Sequence, residues 1–350
     1  MSNMKLYRLN NVPWQDSQLL YHALPRLGRE GLILLAPATP YVCIGYFQDV
    51  EQEVDLAYCR ENQIPVFRRE VGGGAVYLDG DQLFFQLVIH RDNPLIPDGG
   101  KLAFYREFLQ APIEAYRALR IPAEYREVND IVANGRKVSG CGAAEIEDYY
   151  VLVGNLIVDF DYETMARVLN VPHEKFRDKV YKTMRENLST IHRELGSAPP
   201  REELWSLLAE KFLDILGPLP VQTEVDSLWQ ARAVELADRF ISDAWLHHTR
   251  HRQARRQVRI RAGVDVLERA HKAPGGLMRA VVEVRDGLLA TVSLSGDFFF
   301  YPKERLVDLE MALTGIPPDE VEQTVTRFYR ERDVESPGVT PDDLAQLLAV

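Results

Sequence analysis

The dipeptide Asn134-Gly135 constrains the fold of this chain more tightly than any other pair of neighbours in it. Both residues tolerate the positive φ that a type I′ turn requires, so residues 130–133 are expected to pair with 136–139 as a tight antiparallel hairpin. Lys137 then lies just beyond the turn, on a strand whose hydrogen bonds restrict its backbone. Its ammonium can be aimed at little extra ordering cost, which a catalytic lysine needs. A lysine that merely guards a sheet edge against aggregation occupies the same kind of position.

Upstream runs Arg68-Arg69-Glu70-Val71-Gly72-Gly73-Gly74-Ala75-Val76-Tyr77. Three glycines strip the Cβ atoms from a stretch of backbone, so a ligand can lie directly against its N–H groups. The two arginines supply charge for phosphate or carboxylate. Taken alone, a glycine-rich turn with solvated arginines has the same sequence.

Sheet and helix signals alternate around these motifs. Residues 32–35 and 41–46 are apolar runs divided by Pro37 and Pro40, expected as two strands joined by a turn. Residues 54–61 read as helix, 65–69 as a strand entering the glycine run, and 83–90 as a strand following Asp79-Gly80-Asp81. A helix is expected over 102–119, kinked or restarted at Pro112. Beyond the hairpin come a strand at 150–160, a helix at 162–169, and helices at 202–216 and 228–244 divided by Gly217-Pro218-Leu219-Pro220. The C-terminal part reads as strands 277–285 and 288–294 around Asp286-Gly287, then helices at 303–313, 319–330 and 341–348. Thr340 is the expected N-cap of the last helix, with Pro341 at its first position. The fold class is α+β: a mixed-sheet domain with packed helices over residues 1–245, an interdomain segment over 246–261, and a smaller α+β domain over 262–350. The arginine cluster at 250–261 suits a solvated linker as well as a patch facing phosphate or an acidic partner.

A formal charge of −11 leaves no domain-wide basic field to displace counterions from a phosphate chain, which excludes a general nucleic-acid binder. Residues 1–11 lack the apolar core of a signal peptide, and no segment reaches ~20 uninterrupted apolar residues, so a cytoplasmic chain with no membrane association is expected. Cys43, Cys59 and Cys141 form no Cys-x-x-Cys pair, which points to a reducing compartment. His247 and His251 are four apart, yet no carboxylate or cysteine stands in register with them, so no metal site is expected.

The glycine run, Asn129-Asp130-Ile131 and Gly135-Arg136-Lys137-Val138-Ser139-Gly140, in that order, resemble the motifs of the lipoate-protein ligase A family. Gly296-Asp297-Phe298-Phe299 resembles a strand end of that family's accessory domain. The resemblance implies a catalytic domain over 1–245, an accessory domain over 262–350 and a two-step reaction in a monomer. Lipoate attacks the α-phosphorus of ATP, releasing pyrophosphate and leaving lipoyl-AMP. A lysine of an apo carrier, a lipoyl domain or a glycine-cleavage H-like protein, then attacks the mixed anhydride. Magnesium would arrive with ATP, without a dedicated protein cage. Both steps gather negative charge on oxygen, so a fixed cation and backbone N–H groups serve both. By the resemblance, Lys137 is the cation, while Arg69 and the backbone of Gly74, Ala75, Val76 and Tyr77 hold the nucleotide. Gly72 and Gly73 shape the acyl tunnel, and Asp130 stands near the attacking amine or the ribose.

Two departures from the family pattern bear on the identity of the acyl group or the carrier. Leu78-Asp79 stands where many relatives carry His-Asp, and Leu152-Val153-Gly154-Asn155 where many carry His-His-Gly-Thr. Rival readings are an octanoyltransferase of the same superfamily that carries the acyl group on Cys141 as a thioester, a biotin ligase, and a non-catalytic binder of lipoylated carriers. A buried cysteine is ordinarily inert, biotin ligases usually show an arginine-glycine repeat instead, and a mere binder has no use for Lys137. Spacing does not reveal the carrier, nor the preference between lipoate and octanoate.

Overall fold

The computed structural model describes residues 4–171, 173, 176–249 and 264–349. In chain order its first strands are β1 (Lys5–Val12), β2 (Gly31–Pro37), β3 (Tyr41–Ile44), β4 (Val66–Arg68), β5 (Val76–Leu78) and β6 (Gln82–His90). There follow β7 (Ala123–Arg126), β8 (Asp130–Ala133), β9 (Arg136–Ser139), β10 (Cys141–Ile146), β11 (Tyr149–Ile157) and β12 (Val221–Gln222). The last three are β13 (Val264–Ala273), β14 (Gly276–Arg285) and β15 (Leu288–Gly296).

Strands in the order β10-β11-β6-β2-β1-β12 make a mixed sheet, in which β1 runs parallel to both β2 and β12 and the remaining pairs are antiparallel. Both faces are covered, which is why β2 and β6 are nearly continuous apolar runs. Along β2, Leu32, Leu34 and Ala36 enter one core while Ile33 and Leu35 enter the other. Helices Gly100–Phe108, Gln110–Ala118 and Arg201–Leu216 supply the first core, and helices Asp16–Arg26 and Ser227–Phe240 the second. Each fully buried Leu or Phe contributes about 1.5–3 kcal/mol.

Two small sheets, β4-β3-β5 and β7-β8-β9, carry the glycine run and the lysine hairpin beside the large sheet. The antiparallel sheet β13-β14-β15 packs against helices Arg305–Ala312, Val321–Arg332 and Pro341–Leu348. Its core is completed by Phe47, stacked on Phe298 with ring centroids 4.9 Å apart. No helix among the described residues is long and apolar enough to cross a membrane.

Several local expectations need correction. The spans 32–35 and 41–46 are two strands joined by a turn, as expected, yet they do not pair: β2 joins the large sheet, whereas β3 pairs with β4 and β5. The span 102–119 is two helices that break at Leu109. Pro112 lies in the first turn of the second, where its missing N–H leaves no helical bond unmade. The span 228–244 also divides, because Ser242 caps a new turn at Asp243–Leu246. Strands β1, β10 and β13 and helices Asp16–Arg26 and Arg177–Asn187 were not anticipated.

Candidate active site

The hairpin forms at Asn134-Gly135, with φ of 50° and 76° respectively. Its strands bring Lys137 Nζ within 2.6 Å of Asp130 Oδ1, while Arg126 Nη2 donates to Asp130 Oδ2 at 2.7 Å. Burial pushes the Asp130 carboxyl up, but the two cations outweigh it and hold that carboxyl below its ordinary range. The backbone of Lys137 is tied down as well, its carbonyl accepting from Ser189 N at 2.8 Å. A half-exposed ammonium fixed by a carboxylate and a strand is preorganised to meet developing negative charge.

The glycine run is curled by the side chain it follows. Arg69 Nη2 donates to the carbonyls of Gly72 at 2.7 Å and Gly74 at 2.9 Å, and Nη1 donates to that of Cys43 at 3.2 Å. The run also packs against Gly45, where an added Cβ would fall 1.8 Å from the Gly73 carbonyl oxygen. The expectation that both arginines offer charge to a ligand fails for Arg68. Its guanidinium is 0% exposed and donates to the carbonyls of Gly45, Tyr46, Gln48, Trp245 and Leu246. It is an architectural cation, consumed by backbone.

A cavity of about 370 Å³ lies between the glycine run and the hairpin. Among the residues anticipated for the site, Arg69, Gly73, Gly74, Ala75, Val76, Asp130 and Lys137 line it. Gly72 and Tyr77 do not: Gly72 backs onto Phe298 and Phe299, and Tyr77 packs into a core with Val42 and Val50. Apolar walls come from Val71, Leu78, Phe84, Val153 and Phe299. Leu78 and Val153, two of the departures from the family pattern, therefore fall on the cavity wall. Asn155 braces the hairpin exit, accepting from Gly140 N at 2.8 Å and donating to Gln82 Oε1 at 2.7 Å.

Residues 272, 274–276, 297 and 299 close one side of the cavity. Gly73 N donates to Phe298 O at 3.1 Å, and Gly296 N to Phe47 O at 3.0 Å. Tyr301 Oη and Lys303 Nζ each donate at 3.0 Å, to the carbonyls of Ala143 and Glu145. Burial raises the Asp297 carboxyl, opposed by Lys272, Lys137 and Arg69. Gln18, Tyr21, Gln86, Lys272 and Asp297 are lining residues that the sequence reading missed. A glutamine in the middle of the apolar run of β6 is the one local signal among them.

Cys141 also lines the cavity, its Sγ 3.2 Å from Ser139 Oγ. Burial pushes its thiol up to about 12. His247 Nδ1 stands 4.0 Å from Glu51 Oε1, while His251 and the arginine cluster at 250–261 lie outside the described residues. Among the described residues, no three His, Cys, Asp or Glu side chains are grouped to hold a metal ion.

Residues 11–213 match the model of the lipoyl protein ligase A/B catalytic domain. The chain is 35% identical over 160 residues to lipoate-protein ligase A subunit 1 of Thermoplasma acidophilum, spanning 43% of this chain and 59% of that one. It is 24% identical over 329 residues to lipoate–protein ligase 1 of Staphylococcus aureus, spanning 93% of this chain and 89% of that one. The solved structure of a bipartite lipoate protein ligase from T. acidophilum, studied with its E2 lipoyl domain, superimposes with a TM-score of 0.61 at 26% identity. That match covers 71% of this chain and 97% of the other.

Proposed function

Because the chain belongs to the lipoyl protein ligase A/B catalytic-domain family, we propose that the cleft between the glycine run and the lysine hairpin carries both half-reactions of an ATP-dependent lipoate–protein ligase. Lipoate is activated by ATP to lipoyl-AMP with release of pyrophosphate, and the acyl group then passes to a lysine of a lipoyl carrier protein. The observation that carries this reading is the Lys137–Asp130 pair, 2.6 Å apart on the wall of a cavity that also contains the glycine run.

Each residue has a task that its surroundings support. Lys137 faces the α-phosphate oxygens as they gain charge, and Asp130 keeps its ammonium in place. Arg69 holds the run in the curl that turns Gly73, Gly74, Ala75 and Val76 toward the nucleotide. The acyl chain lies along Val71, Leu78, Phe84, Val153 and Phe299. Magnesium would arrive with the ATP phosphates, and of the described cavity residues Asp130 and Asp297 are the carboxylates that would meet it. We place the enzyme in the cytoplasm as a monomer, with residues 1–245 as catalytic domain and 262–350 as accessory domain. A thiol held up at about 12 is a poor nucleophile, which speaks against acyl transfer through Cys141.

The deciding experiment incubates the protein with lipoate, ATP, magnesium and apo lipoyl domain or glycine-cleavage H protein, and follows the carrier by intact mass. A lipoyl mass shift that requires ATP is expected, with pyrophosphate and AMP formed. Carrier modification from an acyl thioester without ATP, abolished by Cys141→Ser, would overturn the ligase reading.

A further inference from the structure

Three cations and two carboxylates line the cavity among the described residues: Arg69, Lys137 and Lys272 against Asp130 and Asp297. Two of the cations are already held by the protein. Arg69 gives its terminal nitrogens to the carbonyls of Cys43, Gly72 and Gly74, and Lys137 Nζ lies 2.6 Å from Asp130 Oδ1. Lys272 is the exception. Its side chain is exposed, and among the described residues no carboxylate stands within 4.0 Å of its Nζ. Its charge is nonetheless felt at Asp297, together with those of Lys137 and Arg69, which gathers the three cations around one carboxylate.

An exposed lysine is ordinarily a solvated surface residue, but this one is carried on a fixed strand end. Lys272 is the penultimate residue of β13 and pairs with Leu277 of β14. The Leu277 carbonyl accepts from Asp297 N at 2.8 Å, and the intervening turn is tied by Gly275 N to Gly338 O at 2.6 Å. Side chains alternate along a strand, so Lys272 faces away from Ala273, which is buried in the core beneath this sheet, and from His271, whose Nε2 lies 2.8 Å from Asp343 Oδ1. That leaves Lys272 on the face that closes the cavity, its backbone set and its ammonium uncommitted.

We propose that Lys272 is a further catalytic residue, which binds the β- and γ-phosphates of ATP and stabilises the leaving pyrophosphate. The inference rests on the ligase reading and adds a group to the same site. A carboxylate oxygen of lipoate forms a bond to the α-phosphorus while the bond from that phosphorus to the α–β bridging oxygen breaks, its electron pair departing on pyrophosphate. No proton needs to move. Negative charge therefore grows in two places, on the α-phosphate oxygens, which Lys137 faces, and on the leaving group, which Lys272 meets from the opposite side of the cavity. Phosphoryl transfer is catalysed largely by cations positioned in this way. In the second half-reaction pyrophosphate has already left, so Lys272 has no anion to stabilise.

The test uses the full-length protein with lipoate, ATP and magnesium, and separately with lipoyl-AMP and apo lipoyl domain. Lys272→Met is expected to lower kcat/KM for pyrophosphate release on the order of 100-fold, the usual effect of losing a preorganised stabiliser, and to leave transfer from lipoyl-AMP within about twofold of wild type. Formation of ATP from lipoyl-AMP and added pyrophosphate should fall with it, and Lys272→Arg should restore most of both. Pyrophosphate release by Lys272→Met at the wild-type rate, or equal loss of release and transfer, would overturn the proposal while leaving the ligase reading intact. A wild-type protein that releases no pyrophosphate sinks the ligase reading instead. If Lys272→Met does not fold, acetylation of the wild-type lysines, read by peptide mass, decides the matter. Pyrophosphate should shield Lys272 and AMP should not; equal acetylation of Lys272 with and without pyrophosphate contradicts the proposal.

Discussion

Arg68 spends its donors on carbonyls from two distant parts of the chain, whereas its neighbour Arg69 curls the glycine run from inside the cavity. Nothing local distinguishes two adjacent arginines, because the carbonyls that capture Arg68 include Trp245 and Leu246, 177 and 178 residues away. Arg68→Met should therefore destabilise the protein by about 3–5 kcal/mol, as when one partner of a buried charged network is removed. Arg69→Met should fold and instead raise KM for ATP. Chemical denaturation and pyrophosphate-release kinetics separate the two. For Lys137→Ala, loss of a preorganised charge should lower adenylation on the order of 100-fold, with carrier binding retained. Burial above all pushes the Asp79 carboxyl up to about 6. The unfolded chain titrates near ~3.9, so the folded state binds this proton more tightly, and stability falls as pH rises from about 4 to about 6. Asp79→Asn should consequently gain on the order of 2 kcal/mol over wild type at neutral pH and nothing below about pH 4, as read from melts at both values.

Elements written by a few adjacent residues were legible. The Asn134-Gly135 hairpin needs only its own positive φ angles. The last helix needs only Thr340, Pro341 and Asp343, whose capping box is present. Pairings with distant partners were not legible: 41–46 reads as a strand, but nothing local shows that β3 leaves the neighbouring β2 to pair with β4 and β5. Strand β10 was obscured by its own composition: Cys141-Gly142-Ala143-Ala144 has small side chains and little strand signal, and its pairing with β11 creates the element. Glycines at strand ends give a test at this scale. A Cβ at Gly276, where φ is 140°, would fall 1.4 Å from the Asp297 carbonyl oxygen. Gly276→Ala should move Asp297 and Phe298 away from the glycine run and reduce adenylation by at least ~10-fold, in proportion to the near-attack geometry it spoils. Gly287, with φ of 78° and nothing within 4 Å of an added Cβ, is the control. Gly287→Ala should cost roughly 1–2 kcal/mol in melting and leave kinetics alone.

Across the whole molecule, the cavity draws on both ends of the chain, and Phe299 and Tyr301 share a core with the helix Asp16–Arg26. We therefore expect the proposed boundary at residue 245 to be a poor place to cut. It would remove the Leu246 carbonyl from Arg68 and uncover Phe47. A fragment ending at residue 249 should melt higher than one ending at 245. Both should adenylate lipoate poorly yet transfer the acyl group from supplied lipoyl-AMP. Equal loss of both half-reactions would contradict that division of labour.

The bond from Gly73 N to Phe298 O joins the floor of the cavity to its roof. Any motion that parts residues 297–299 from the glycine run must therefore also release the loop proposed to hold the nucleotide. On the ligase reading, parting that side of the cleft and loosening the hold on the adenylate are then one event.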